Sequence, residues 1–495
     1  MNFVRLLVLS GLAAALLAHA DAAEDNVWPL WVSQKGATGK TESWESIGPL
    51  FYQKPGEPGE TWSGFRPIYV RATDANHQIT KAAVVLPLYI YRADSESYHW
   101  NFLLLITGSG RKAGSSQTAH ESPGTFDIWP IWFSRDTGSP ETSYRALFPI
   151  AGTIKERLGY ERLSWVIWPL YFRTESKGAT TVSTPWPILR FTSGTEHGFT
   201  LWPLFGRVEK PGVWERQFYL WPLIWNNTRQ PFEDDPAGTP PTRQVGVLPF
   251  YAGITGPGLV SRTYVWPFFG YLDRTKPDHY HESHYLWPLW VQAHGDNRYI
   301  NRWAPFYTHS VIKGYDKTWV LWPLVRRARW TEDGLKQTKT QLLYFIYRSY
   351  EQRSPTNPRL APASKTHFWP LYSSWDNGAG QRQFQFFSPF EVFFPDNEFA
   401  RQAWSPLAAI FRYDQRAPGD TRWSALWSLV TWHRTGAARE FHLGPLLSVK
   451  SGAPQGRTAL LTGVLGWKRE PGAKGWSFFW FDFPSKVNKV PVAAR

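Results

Sequence analysis

The sequence predicts an all-β fold: a large antiparallel up-and-down meander of roughly two dozen strands, closed as an outer-membrane-type β-barrel. Three observations predict it. A short phrase, most often Trp-Pro followed by Leu, Ile or Phe, returns along most of the chain. The apolar runs around it are short, aromatic and β-branched, and clusters of Gly, Asp, Asn and Ser bound them. After an export-type leader, no apolar run reaches the length of a membrane-spanning helix.

The phrase reads Trp28-Pro29-Leu30, Trp129-Pro130-Ile131, Trp168-Pro169-Leu170, Trp202-Pro203-Leu204, Trp221-Pro222-Leu223, Trp266-Pro267-Phe268, Trp287-Pro288-Leu289, Trp322-Pro323-Leu324 and Trp369-Pro370-Leu371. Looser copies include Arg66-Pro67-Ile68, Leu86-Pro87-Leu88, Phe148-Pro149-Ile150 and Leu248-Pro249-Phe250. Where a copy is missing, a proline-free run such as Phe102-Leu103-Leu104-Leu105-Ile106 fills the gap. The spacing is roughly 19 residues, which marks a repeat.

Each repeat reads as one extended strand plus a turn. Turn residues stand at Asp136-Thr137-Gly138, Ser176-Lys177-Gly178, Lys210-Pro211-Gly212 and Glu332-Asp333-Gly334. Proline recurring inside most apolar runs argues against helices, since an interior proline costs a helix about 3 kcal/mol. The period suits a membrane strand of about 9–11 residues with its connections. Arginines bracket the apolar runs: Arg71, Arg135, Arg173, Arg207 and Arg326 follow them, and Arg162, Arg216, Arg262 and Arg302 precede them.

On this reading proline falls at mid-strand. A shared bulge or bend must then offset the missing ladder donors. The segment 217–225 is apolar on both faces, so the interior must be filled or the strands packed in a sandwich.

The bulk properties bound the rest. The 495 residues form one repetitive structure over 24–483, with a signal peptide at 1–23 and a C-terminal tail at 484–495. Arg5, the apolar stretch 6–17 and the small residues before Glu24 carry the signal-peptide reading. Segments 226–243 and 353–365 read as long loops. Cysteine is absent, which excludes disulfides and thiolate chemistry. A formal net charge of +14 points to anionic neighbours. For an exported chain these are outer-membrane lipid and an anionic polysaccharide or lipid, not nucleic acid.

Leu-Trp-Pro-Leu stands at 201–204, 220–223, 286–289 and 321–324. In these segments the chain resembles a loose group of bacterial exported or outer-membrane proteins with repeated Leu-Trp-Pro-Leu strands. The resemblance covers most of the chain after residue 23. It implies architecture and transfers no site residues. The chain departs from the usual barrel ending, because residues 484–495 follow the strand-like run 476–483.

Little chemistry is legible. His279, His281, Glu282 and His284 form the densest group of metal-ligating types. On a strand, His279 and His281 share one face while Glu282 and His284 share the other. A solvated loop is therefore the better reading, and no metal is expected there. The glycine-rich stretch 108–116 lacks Walker spacing, and no serine sits in a nucleophile elbow. The expectation is a protein that is not an enzyme and takes no cofactor.

Of the 30 tryptophans, those before proline read as packing residues. Trp214, Trp303, Trp330, Trp375, Trp423 and Trp432 fall outside the repeated position and read as interface anchors or ligand-stacking residues. The expected function is passage, assembly or scaffolding of an anionic glycan or lipid by a non-enzymatic outer-membrane protein. The alternative is a soluble periplasmic or secreted β-repeat protein that binds glycans through aromatic and basic residues.

Overall fold

The computed structural model describes residues 24–484, except 37–38, 395–396, 453–455, 471–472 and 480. The expected signal peptide and C-terminal tail lie outside these residues. Among the described residues, 46 strands belong to one antiparallel sheet. No helix is long and apolar enough to cross a membrane. The chain divides into two compact units, one from the described parts of 1–90 and 333–495, the other from 91–332.

The strand count is about twice the expectation of two dozen. The reason is the place of proline. Strand Tyr160–Val166 ends where the phrase begins, residues 167–170 form a turn, and strand Tyr171–Ser176 returns with Val166 opposite Tyr171. Ser176 then lies opposite Ala179 across the Lys177-Gly178 turn. One repeat is therefore a hairpin of two strands. Proline has no N–H for a ladder, so a turn tolerates it where a strand interior does not.

The expected mid-strand bend is thus corrected. Neighbouring turns extend the ladder themselves. Trp168 N–H donates to the Pro149 carbonyl at 2.8 Å, Trp221 N–H to Pro203 at 2.7 Å, and Trp322 N–H to Pro305 at 2.7 Å. The peptide bonds before these prolines are cis.

Strand length is corrected as well. The strands run from four residues, as in Tyr144–Leu147, to eight, as in Val325–Glu332. Each is shorter than the roughly 9–11 residues of a membrane-crossing strand. Strand Glu24–Val27 pairs with Trp31–Lys35, and Phe481–Pro484 pairs with Ala473–Phe478. Among the described residues the first and last strands do not pair with each other, and the sheet is not closed.

With the phrase removed to turns, alternation shows in individual strands. In Val430–Thr435, Thr431 and His433 are buried while Trp432 and Arg434 are exposed. In Trp290–Gly295, Val291 and Ala293 are buried while Trp290 and His294 are exposed. The apparent two-sided segment 217–225 resolves the same way. Residues 220–223 form the turn, and Phe218 faces Trp225 on the inner side. Both rings lie over glycines of the adjoining strands: a Cβ at Gly206 would meet Phe218, and one at Gly246 would meet Trp225.

Each unit has its own apolar cluster. In the unit 91–332, Tyr144, Ala146, Ile154, Leu163 and Trp165 pack with Phe148 and Phe172. In the other unit, Tyr52, Trp62, Val70, Ala72 and Ala83 pack against Phe399 and Ala403 of helix Glu398–Ala403. The Asn397 side chain caps this helix by accepting from Ala400 N–H at 3.1 Å. Helix and cap belong to an insertion that replaces the apolar turn between Arg382–Phe386 and Phe411–Ala417, two strands that pair directly.

Candidate functional site

Hairpins in series send alternate turns to opposite ends of the strands. Within each unit the proline-bearing apolar turns therefore share one end, and the glycine-bearing polar turns share the other. At the apolar end six of the nine motif tryptophans are exposed, Trp221 by 52% and Trp322 by 55%, against 3% for the core residue Trp165, while Trp28, Trp168 and Trp369 are half-buried. For those six the reading as packing residues is corrected, whereas Trp168 packs against the cluster of Tyr144, Leu163 and Trp165.

The outer face of the unit 91–332 is layered with distance from that end. Strand residues next to the turns are apolar or aromatic, among them Tyr219, Ile224, Tyr264, Phe269, Trp290 and Trp303, all exposed. Two residues further along the same face, about 7 Å away, stand Arg145, Arg173, Arg207, Arg262 and Arg327. Neutral Gln217, Asn226, Ser283, Gln292 and Asn301 share that row. Carboxylates enter only in the third row, with Glu175, Glu209, Glu215, Asp273 and Asp316. There they meet the arginines: Arg173 lies 2.6 Å from Glu175, and Arg207 lies 2.8 Å from Glu215.

The backbone of the apolar turns sharpens the point. Ile167, Leu220, Val265, Leu286 and Leu321 hold φ between 42° and 51°. Left-handed backbone costs an L-residue with a side chain about 1–2 kcal/mol. At the polar end glycines share the positive-φ positions, Gly178 with Lys177 and Gly314 with Lys313. The apolar turns thus keep exposed branched side chains where glycine would relieve the backbone.

The six tryptophans singled out from the sequence are not brought together. Trp303, Trp423 and Trp432 are exposed on the outer face. Trp303 lies 5.9 Å from Trp290, and Trp423 lies 4.7 Å from Tyr413, ring centroid to centroid. Trp214 is half-buried at the polar end with Arg216 stacked 4.5 Å from its ring. Trp330 donates to Glu332 at 3.0 Å. Trp375 faces inward and donates to Gln383 at 2.9 Å.

The histidine group splits as alternation requires. His281 faces outward between Asp273 and Ser283. His284 is buried on the inner face, 3.8 Å from Glu282, which accepts from the Tyr280 hydroxyl. Burial pushes the His284 imidazole below its ordinary pKa, against the pull of Glu282. Among the described residues no group of three or more His, Asp or Glu is placed to hold a metal ion.

The sequence reading missed a second feature, the charged inner face of the unit built from 24–90 and 333–484. Arg412 grips Asp414 with two bonds of 2.7 and 2.9 Å. Arg422 holds the buried Glu24 at 2.8 and 3.3 Å. Burial raises the Glu24 and Asp414 carboxyls, but Arg422 and Arg412 respectively outweigh it and hold both below the usual carboxylate range. Arg66 is buried, and its desolvation is opposed chiefly by Glu45 at 3.0 Å. One signal was available: Arg66 occupies the place that tryptophan fills in other copies of the phrase. No protein-family model matches the chain, and no curated protein matches it.

Proposed function

We propose that the chain is a non-enzymatic protein of the Gram-negative outer membrane, seated in lipid by its apolar turn edge, and that it serves passage, assembly or scaffolding of an anionic glycan or lipid. The observation that carries this is the order of rows on the outer face. Apolar turns suit hydrocarbon, tyrosine and tryptophan suit the interface, and the arginine row suits lipid phosphates. The net charge of +14 has the matching sign.

The depth of the apolar layer sets the mode of seating. Turn plus first row comes to about 10 Å, taking about 3.3 Å per strand residue. A membrane-spanning barrel presents a band about 25 Å tall. An element lying in the interface buries about 5–10 Å. The seating is therefore edge-on, into one leaflet. Barrel closure belongs to the same reading on topology alone: closing the meander would leave no unpaired edge strand.

Flotation with lipid vesicles tests this. The protein should rise with vesicles containing phosphatidylglycerol and resist a carbonate wash. The double variant Trp221→Asp, Trp322→Asp should stay with the soluble fraction. If wild-type protein stays soluble with every vesicle, the seating is wrong and the soluble glycan-binding alternative takes its place.

A further inference from the structure

We infer that the cavity in the unit formed by 24–90 and 333–484 is a binding site for a small acidic saccharide, whose anionic group meets Lys54 and Arg412 while a sugar ring lies against Trp375.

The cavity measures about 550 Å³, within the range of small-ligand sites. Its walls are the inner faces of the first hairpins and of the strands from 372 to 425, closed by residues around helix Glu398–Ala403. Six cationic side chains line it, Lys54 and five arginines, against three carboxylates, Glu42, Glu45 and Asp414. Glu42, Glu45 and Asp414 pair with Arg416, Arg66 and Arg412, and Arg422 and Arg382 pair with Glu24 and Asp376 outside the lining, which leaves Lys54 as the lining cation without a carboxylate among the described residues.

Those pairs also orient the donors. Asp414 fixes the plane of the Arg412 guanidinium, and Glu45 with the Pro49 carbonyl fixes that of Arg66. Arg412, held along one edge and partly exposed, still offers its other N–H groups in the geometry that suits carboxylate and phosphate, whereas Arg66 is buried with two of its nitrogens already donating to protein oxygens.

One group is left with an unmet demand. Lys54 forms no ion pair among the described residues. Burial, then the nearby Arg412 and Arg66, push its ammonium down to about 7. An anion in the cavity would answer it by pairing with Lys54. The Trp375 ring, held by its bond to Gln383, supplies a flat wall of the kind sugar rings lie on.

The inference deepens the proposed function by naming the anionic glycan's site and class, and rests on that reading only for the choice of a glycan. The test is made on the full chain in detergent micelles, without a bilayer, so its failure leaves the vesicle result untouched. Glucuronate, a hexose phosphate, glucose and inorganic phosphate are titrated calorimetrically at pH 8 in buffers of different ionisation enthalpy. At least one acidic sugar should bind, with proton uptake as the bound anion raises the Lys54 pKa. Binding of one and not the other supports the site and identifies its acidic group.

Lys54→Gln should abolish the proton uptake and weaken binding about tenfold, and Trp375→Ala should weaken it to a similar degree. Lys54→Gln removes a repelled charge and leaves the ion pairs in place, so the fold, checked by circular dichroism, is kept. The inference is overturned if neither acidic sugar binds, if glucose binds equally well, or if inorganic phosphate alone binds as tightly. Binding unchanged in both variants overturns it too.

Discussion

The Arg66 guanidinium carbon lies 3.6 Å from the centroid of the Tyr52 ring. The same guanidinium donates to Glu45 at 3.0 Å, to the Pro49 carbonyl at 2.6 Å and to the Gln402 carbonyl at 2.8 Å. One side chain thus ties a hairpin near the N-terminus to the end of the helical insertion. Arg66→Ala should lower the unfolding free energy by roughly 3–5 kcal/mol, as loss of one partner of a buried pair does. Arg66→Lys should recover little of it, because an ammonium has neither the fork nor the plane. Urea unfolding followed by tryptophan fluorescence measures both. A loss under about 1 kcal/mol for the alanine variant would show that the contacts are replaceable.

Glu24 and Arg422 set an acid limit. Because Glu24 titrates below its unfolded value, its contribution is fully present above about pH 4.3, the ordinary glutamate pKa, and is lost as pH falls through the lower folded value. Asp414, held down by Arg412, acts in the same direction. Glu24→Gln should cost roughly 3–5 kcal/mol at neutral pH and flatten the acid limb of the stability curve. Melting temperature against pH, wild type beside variant, checks the slope; parallel curves would refute the linkage.

The helix insertion is anchored by Phe399, whose ring meets Trp62 edge-on at 5.8 Å. Phe399→Ala should cost about 3–5 kcal/mol. The insertion should then become the first segment to exchange its amide protons, ahead of the strands. Mass-detected hydrogen exchange over 398–408 reads this, and unchanged protection there would count against the anchor.

Edge-on seating predicts a depth. In vesicles whose acyl chains carry bromine near the headgroup, the turn tryptophans should be quenched more strongly than in vesicles brominated near the chain ends. Trp221→Phe should remove part of that quenching. Equal quenching at both depths would instead point to strands that cross the bilayer.

A charged substitution in the second row gives a further check. Arg207 and Arg262 stand where lipid phosphates would lie. Arg207→Glu with Arg262→Glu should weaken binding to anionic vesicles by about 1 kcal/mol or more per reversed charge. The effect should shrink as salt rises. Binding unaffected at low salt would remove the arginine row from the interface.

Much of this was legible in the residues. The repeat, the turn clusters and the arginines bracketing the apolar runs are local patterns, and they announce an antiparallel meander. The role of proline was misplaced. Trp168-Pro169-Leu170 carries strand-like residues on both sides, and only the pairing of Val166 with Tyr171 shows that the chain reverses there. The helix at 398–403 went unread because a six-residue helix leaves too little period to detect. Arg66 broke the tryptophan pattern visibly, but the break did not name its partners.

By itself, then, the sequence determined the all-β class, the period and the strongly cationic, cysteine-free character of the chain, since these follow from near-neighbour chemistry and composition. Only the tertiary structure decided that each period is two strands, that most of the turn tryptophans are displayed rather than packed, and that a charged cavity exists. The reason is separation along the chain. Arg66 and Gln402 are 336 residues apart, and Arg422 and Glu24 are 398 apart. No local pattern carries information about which distant carbonyl or carboxylate will be folded against a given guanidinium.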